Sequence, residues 1–133
     1  MSIVVDTNVL LDVATNDLNW ADWSIQQLDA AALQGALIIN DTVYAELSVR
    51  FARVEDVDRF VEAAGLTHEA MPRAALFLAA KAFQKYRAAG GIRTGVLPDF
   101  FIGAHAAIAG RALLTRDAQR YRRYFPKLQL IAP

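Results

Sequence analysis

The sequence predicts an α/β protein, a three-layer α/β/α domain around a central, mostly parallel sheet, and three observations carry that expectation. Short unbroken apolar runs recur along the chain, each ends in an acid or a hydroxyl residue, and helical patterns fill the stretches between them. Runs without polar alternation suit strands covered on both faces. Alternation of strand and helix implies right-handed crossovers that place helices on both sides of the sheet.

The first run is Ile3-Val4-Val5, followed by Asp6; the second is Leu37-Ile38-Ile39, followed by Asn40-Asp41-Thr42; the third is Ala112-Leu113-Leu114, followed by Thr115-Arg116-Asp117. Leu128-Gln129-Leu130-Ile131 alternates and reads as an edge or closing strand. Asn16 or Asp17 is positioned to cap a helix that Gly35 ends. Asp41 or Thr42 opens another, and Val54 to Ala64 stops at Gly65. Pro72 suits the first turn of an Ala-rich helix closed by Gly90-Gly91, and Pro98 opens one that ends near Gly110. Three glycines between Ala88 and Gly95 predict a mobile loop. With no repeat or linker in view, residues 1–133 read as one domain.

The 133 residues are 55% hydrophobic and 21% charged, within the range of one compact core. The N-terminus lacks the basic start of a secretory signal, and no apolar stretch approaches the roughly 20 residues needed to span a bilayer. A cytoplasmic protein with no membrane role is expected. There is no cysteine, which excludes disulfides and thiolate zinc, and two histidines, His68 and His105, are too few for an imidazole cage. Formal net charge is zero, yet residues 1 to 80 carry 4 Lys+Arg against 12 Asp+Glu, and residues 81 to 133 carry 10 against 2. The basic half is either a solvated helix surface or a face for a polyanion.

In open α/β sheets ligands bind beyond the carboxyl ends of the strands, where helix N-termini also point. Four acids are expected there: Asp6 after the first strand, Glu46 early in the helix after the second, Asp99 beside Pro98, and Asp117 after the third run. Taken singly each has an ordinary use as a turn residue or helix cap. Taken together they would repel one another and lose hydration, so they call for a cation among them. Oxygen donors select a hard divalent ion, Mg²⁺ or Mn²⁺. Such an ion suits hydrolysis of a phosphodiester by activated water.

Four stretches then match a known family: Val4-Val5-Asp6-Thr7-Asn8-Val9-Leu10-Leu11, Tyr44-Ala45-Glu46-Leu47, Leu97-Pro98-Asp99-Phe100-Phe101-Ile102-Gly103-Ala104-His105-Ala106, and Leu113-Leu114-Thr115-Arg116-Asp117. Together and in this order they resemble a PIN domain, and more narrowly the VapC-type ribonuclease toxins of bacterial toxin-antitoxin pairs. The resemblance implies that Asp6, Asp99 and Asp117 bind metal, that Glu46 completes the cluster, and that Asn8 and Thr115 orient acids or water. Arg116, inside the last motif, is a candidate for positioning substrate. The resemblance also implies an RNA substrate, a small cognate antitoxin and a homodimer. Many relatives carry a further acid where Ala118 and Gln119 stand, so one ion or two is open.

Other residues weigh less. His105 is six residues beyond Asp99, rotated away at about 100° per residue, and reads as packing or surface. His68 reads as polar surface and Asp12 as solvated or capping. Trp20 and Trp23 suit core or interface. The helix carrying Leu76, Phe77, Leu78, Ala79, Ala80 and Phe83 is apolar on more than one side, which suggests a dimer or antitoxin contact. Arg116, Arg120, Arg122, Arg123 and Lys127, interleaved with Tyr121, Tyr124 and Phe125, could grip phosphates and stack on bases, or be a solvated face over core aromatics. The competing functions are a phosphatase or a structure-specific DNA nuclease on the same acids, and a silent RNA-binding module. A phosphatase of the haloacid dehalogenase type would want an Asp where Asn8 stands.

Overall fold

In the computed structural model, which describes residues 1–93 and 95–133, the apolar runs form the sheet and the patterned stretches form helices around it. Thr94, part of the loop expected to be mobile, lies outside the described residues. The order is β1 (Ser2–Val5), α1 (Thr7–Ala14), α2 (Ala21–Gln34), β2 (Ala36–Ile39), α3 (Asp41–Ser48), α4 (Val54–Ala63), β3 (Leu66–His68), α5 (Arg73–Ala88), α6 (Leu97–Ala109), β4 (Ala112–Leu114), α7 (Gln119–Tyr124) and β5 (Leu130–Ile131). All pairings are parallel, with strand order β3-β2-β1-β4-β5. Helices flank the sheet, giving three α/β/α layers.

Apart from Ser2 at the start of β1, the three interior strands β2, β1 and β4 are wholly apolar. Ile3, Val4, Val5, Leu113 and Leu114 are fully buried, and each such side chain stabilises the fold by about 1.5–3 kcal/mol. Strand order reverses direction between β1 and β4, which creates a switch-point crevice at their carboxyl ends. Register aligns Val5 with Leu114, so Asp6 and Thr115 leave the sheet side by side, and the Asp6 N–H donates to the Leu114 carbonyl at 2.9 Å.

β3 was not expected. It is three residues at the sheet edge with only Leu66 buried, so it has no apolar run to betray it. β5 takes the opposite edge, as the alternating pattern suggested. Near Asp17 the expected helix is preceded by a turn: Asp17 Oδ1 accepts the N–H groups of Asn19 and Trp20 at 2.9 Å, and α2 starts at Ala21. The cap of α3 is Asn40 rather than Asp41 or Thr42, because the buried Asn40 Oδ1 accepts the Val43 N–H at 3.0 Å. Gly110, at φ 65°, ends α6 in the left-handed region that favours glycine. Among the described residues no helix is long and apolar enough to cross a membrane.

Candidate active site

The crevice beyond β1 and β4 is built around Asp6. As the residue between β1 and α1 it has extended backbone, φ −71° and ψ 149°, and its side chain is buried. Its Oδ2 accepts two hydroxyls, from Thr115 at 2.8 Å and from Tyr121 at 2.8 Å. Neither donor carries charge, and among the described residues Asp6 has no ion pair. Burial first, then the nearby Asp99 charge, drive its pKa up to about 7 against the pull of the two hydroxyls, and Glu46 adds a smaller push.

Asp99 and Glu46 act on it electrostatically, and Asp117 acts in turn on Asp99. Asp99, in the first turn of α6, is partly buried, and burial raises its carboxyl above the ordinary range. The Arg120 guanidinium, which donates to Asp99 Oδ2, opposes this, while Glu46 and Asp117 push further upward. Glu46, half-buried on α3, accepts the Thr7 hydroxyl at 2.6 Å. Asp117 is exposed, and its N–H donates to Thr115 Oγ1 at 3.1 Å. As they stand, no three His, Cys, Asp or Glu side chains among the described residues are gathered to hold a metal ion. Arg120 occupies Asp99 instead.

Thr115 and Asn8 organise the strand ends. The Thr115 hydroxyl donates to Asp6 and receives the Asn8 amide at 3.4 Å, while Asn8 Oδ1 accepts the Arg116 N–H at 3.1 Å. The Arg116 side chain turns elsewhere: it binds Asp12 bidentately at 2.9 and 3.0 Å and lies over Trp20, 5.4 Å from the ring centre. Trp20 in turn meets Trp23 edge to face. Asp12 is therefore a buried, neutralised acid, completed by the Ser24 hydroxyl at 2.9 Å, and is not a solvated one. His105 is buried 3.2 Å from the Asn40 amide, which leaves its Nδ1 to accept, and burial followed by the Arg111 charge lowers its pKa. His68 lies outside the cluster, bound to Asp41 at 2.6 Å and stacked on Tyr44.

Three participants escaped the sequence reading: Thr7, Arg120 as the partner of Asp99, and Tyr121 as a donor to Asp6. The signal for Tyr121 lies in the Gly103 position. A Cβ there would come within 2.7–3.0 Å of the Phe125 and Tyr121 rings, so only glycine lets α7 settle onto α6 with the tyrosine reaching β1. Burial and the adjoining Asp6 charge hold the Tyr121 hydroxyl well above its usual pKa, which keeps it a donor. Tyr121 and Phe125 are core, which accounts for part of the aromatic run.

Among the described residues, two recesses border α7. The larger, about 430 Å³, is mostly apolar, sits at the far end of α6 and holds no acid. The smaller, about 320 Å³, includes Asp117 and three arginines and adjoins the acid cluster.

An all-parallel α/β/α sheet with a buried acid, held by two hydroxyls and no cation, at its switch point defines a class of fold and site. The PIN domain family model matches residues 3–126, and the chain belongs to that family. Among solved structures it resembles VapBC2 from Rickettsia felis bound to a DNA fragment from the promoter, with 18% identity, TM-score 0.74, and coverage of 99% of this chain and 98% of that one. It also resembles VapBC-1 from nontypeable Haemophilus influenzae (17%, 0.72, 99% and 98%) and a toxin-antitoxin complex from Klebsiella pneumoniae (20%, 0.68, 90% and 89%). At such identities the likeness establishes the fold. A search of curated proteins gives no match.

Proposed function

We propose that the chain is a metal-dependent endoribonuclease that acts as the toxin of a toxin-antitoxin pair, hydrolysing RNA phosphodiesters at Asp6, Glu46, Asp99 and Asp117. The observation that carries this reading is Asp6: a buried carboxylate held by two neutral hydroxyls, beside further acids, with no cation of its own. Desolvated charge of one sign is costly unless a counter-ion joins it.

The donors are all oxygen, which fits Mg²⁺ or Mn²⁺, and Asp6, Asp99 and Asp117, with Glu46, would hold the ion. When bound, it would supply Lewis-acid activation of water and offset charge building on the phosphoryl oxygens. The protein's own part is orientation. Thr115 and Tyr121 fix Asp6 through Oδ2, leaving Oδ1 without a hydrogen-bond partner among the described residues. Thr7 fixes Glu46, and Asn8 ties the β4 exit to α1. Asp99, paired with Arg120 here, would hold the ion with that pair opened.

The toxin assignment is supported by the family and by fold-level similarity to toxin-antitoxin complexes. A cognate antitoxin, a cytoplasmic setting and a homodimer complete the reading. Exposed Leu76 and Phe77 on α5 are the surface offered to a second protein.

The test is incubation of the purified protein with structured RNA, single-stranded DNA and a phosphomonoester, with Mg²⁺ or Mn²⁺ and with EDTA. RNA alone should be cut. Asp99→Asn should lower cleavage by about 10³-fold, equivalent to several kcal/mol of lost charge stabilisation. Cleavage that survives both chelator and substitution overturns the mechanism.

A further inference from the structure

Helix α7 sends its residues three ways. Tyr121 enters the core against Asp6, Arg120 crosses to Asp99, and Arg123, three positions after Arg120, borders the 320 Å³ recess with it. The third arginine of that recess, Arg93, comes from the loop after α5. Its N–H donates to the Tyr86 hydroxyl at 3.1 Å, and the same ring lies where a Gly91 Cβ would be, 2.5–2.6 Å from ring carbons. Tyr86 thus clamps the loop at two points.

The charges in the recess are unequal. Arg120 is offset by Asp99, whereas Arg93 and Arg123 are exposed and have no carboxylate partner among the described residues. Arg123 instead lies over Tyr124, 5.4 Å from the ring centre. Tyr86 and Tyr124 pack against each other and against Phe100, so they wall the recess. The remaining acid, Asp117, belongs to the catalytic cluster and joins the two sites. Two guanidiniums without a carboxylate partner among the described residues, in a recess walled by Tyr86 and Tyr124 and lined also by Asp117, form a place for an anion that is already part of the substrate.

We propose that this recess is a subsite for a flanking backbone phosphate of single-stranded RNA, gripped by Arg93 and Arg123 while another phosphate of the same strand is presented to the acids. The assignment rests on the nuclease reading for its substrate, and it adds the direction in which the strand leaves the centre: across α7, toward the loop after α5. An acidic protein segment shares the charge but not the requirement to touch Asp117.

The experiment measures binding without cleavage. Full-length Asp6→Asn protein is titrated into fluorescein-labelled single-stranded RNA in EDTA, and anisotropy is read across a salt series. Adding Arg93→Gln and Arg123→Gln should weaken binding at least about tenfold and shrink the slope of log K against log salt by about 1.4, two contacts at roughly 0.7 each. Both side chains are exposed, so the melting temperature should not move. A comparison variant, Arg59→Gln with Arg73→Gln, removes equal charge from α4 and from the other end of α5 and should change both quantities far less. Equal losses in the two variants overturn the subsite. So does poly-L-glutamate that displaces the RNA at matched charge and loses its hold in the Arg93/Arg123 variant. Arg93/Arg123-dependent binding in a protein that fails to cut RNA supports the subsite while removing the nuclease reading. Cleavage with binding unaltered by Arg93→Gln/Arg123→Gln does the reverse.

Discussion

Helix α1 has an aspartate at each end, and the two are treated in opposite ways. Asp12, in the last turn, is buried and receives a bidentate guanidinium and a serine hydroxyl. Asp6, just before the first turn, is buried and receives only two neutral hydroxyls. The same residue type at similar burial is a closed structural pair in one place and an acid lacking a counter-charge in the other. Burial alone therefore does not distinguish the two carboxylates; the presence or absence of a paired cation does.

One large effect expected from this contrast is at the Asp12 end. Arg116→Met should lower the unfolding free energy by about 3 kcal/mol, since it leaves Asp12 buried and unpaired. Asp6→Asn, measured by the same urea titration at pH 8 without metal, should leave stability unchanged or raised. Comparable losses in both variants would break the comparison.

An effect of comparable size separates the two ends by pH. Folded Asp6 titrates near 7 and its usual value is 3.8, so between about 4 and 7 the folded protein binds more protons than the unfolded chain. Metal-free stability should therefore fall as pH rises through that window and level off above it, and Asp6→Asn should flatten the profile. Mg²⁺ or Mn²⁺ at a hundred times its dissociation constant should return about 2.7 kcal/mol at pH 8, read as a raised melting temperature. No metal response in the wild type would mean that the acids are not a cation site.

The smallest effect sharpens the Asp6 end alone. Tyr121→Phe removes one donor to a charged acceptor, worth about 1.5 kcal/mol. The Asp6 carboxyl should titrate at higher pH, as followed by carboxyl NMR, because that hydrogen bond opposes the burial that raises its pKa. A downward shift would assign the hydroxyl some other partner.

Much of this arrangement was legible in the residues. Ile3-Val4-Val5 and Ala112-Leu113-Leu114 declared themselves as central strands because they have no polar position to expose, and their ends located Asp6 and Asp117. Leu66-Thr67-His68 did not, since an edge strand with one buried residue has nothing to distinguish it from a loop. Four acids could be placed on one rim from strand ends and helix starts alone. Their partners could not: Arg120 and Arg116 lie in the same basic stretch, and only packing reveals that one goes to Asp99 and the other to Asp12. A side chain's neighbour across a crevice depends on helix azimuth and depth, which composition does not encode.

The missing side chain at Gly103 carries a final consequence. Because α7 seats through a gap with no room for a methyl group, the hydroxyl on Asp6, the guanidinium on Asp99 and the exposed Arg123 are mounted on one short rod. Whatever lifts that rod by an ångström misaligns all three together, so a change made two layers beneath the surface would reset acidity, ion access and strand path in a single movement.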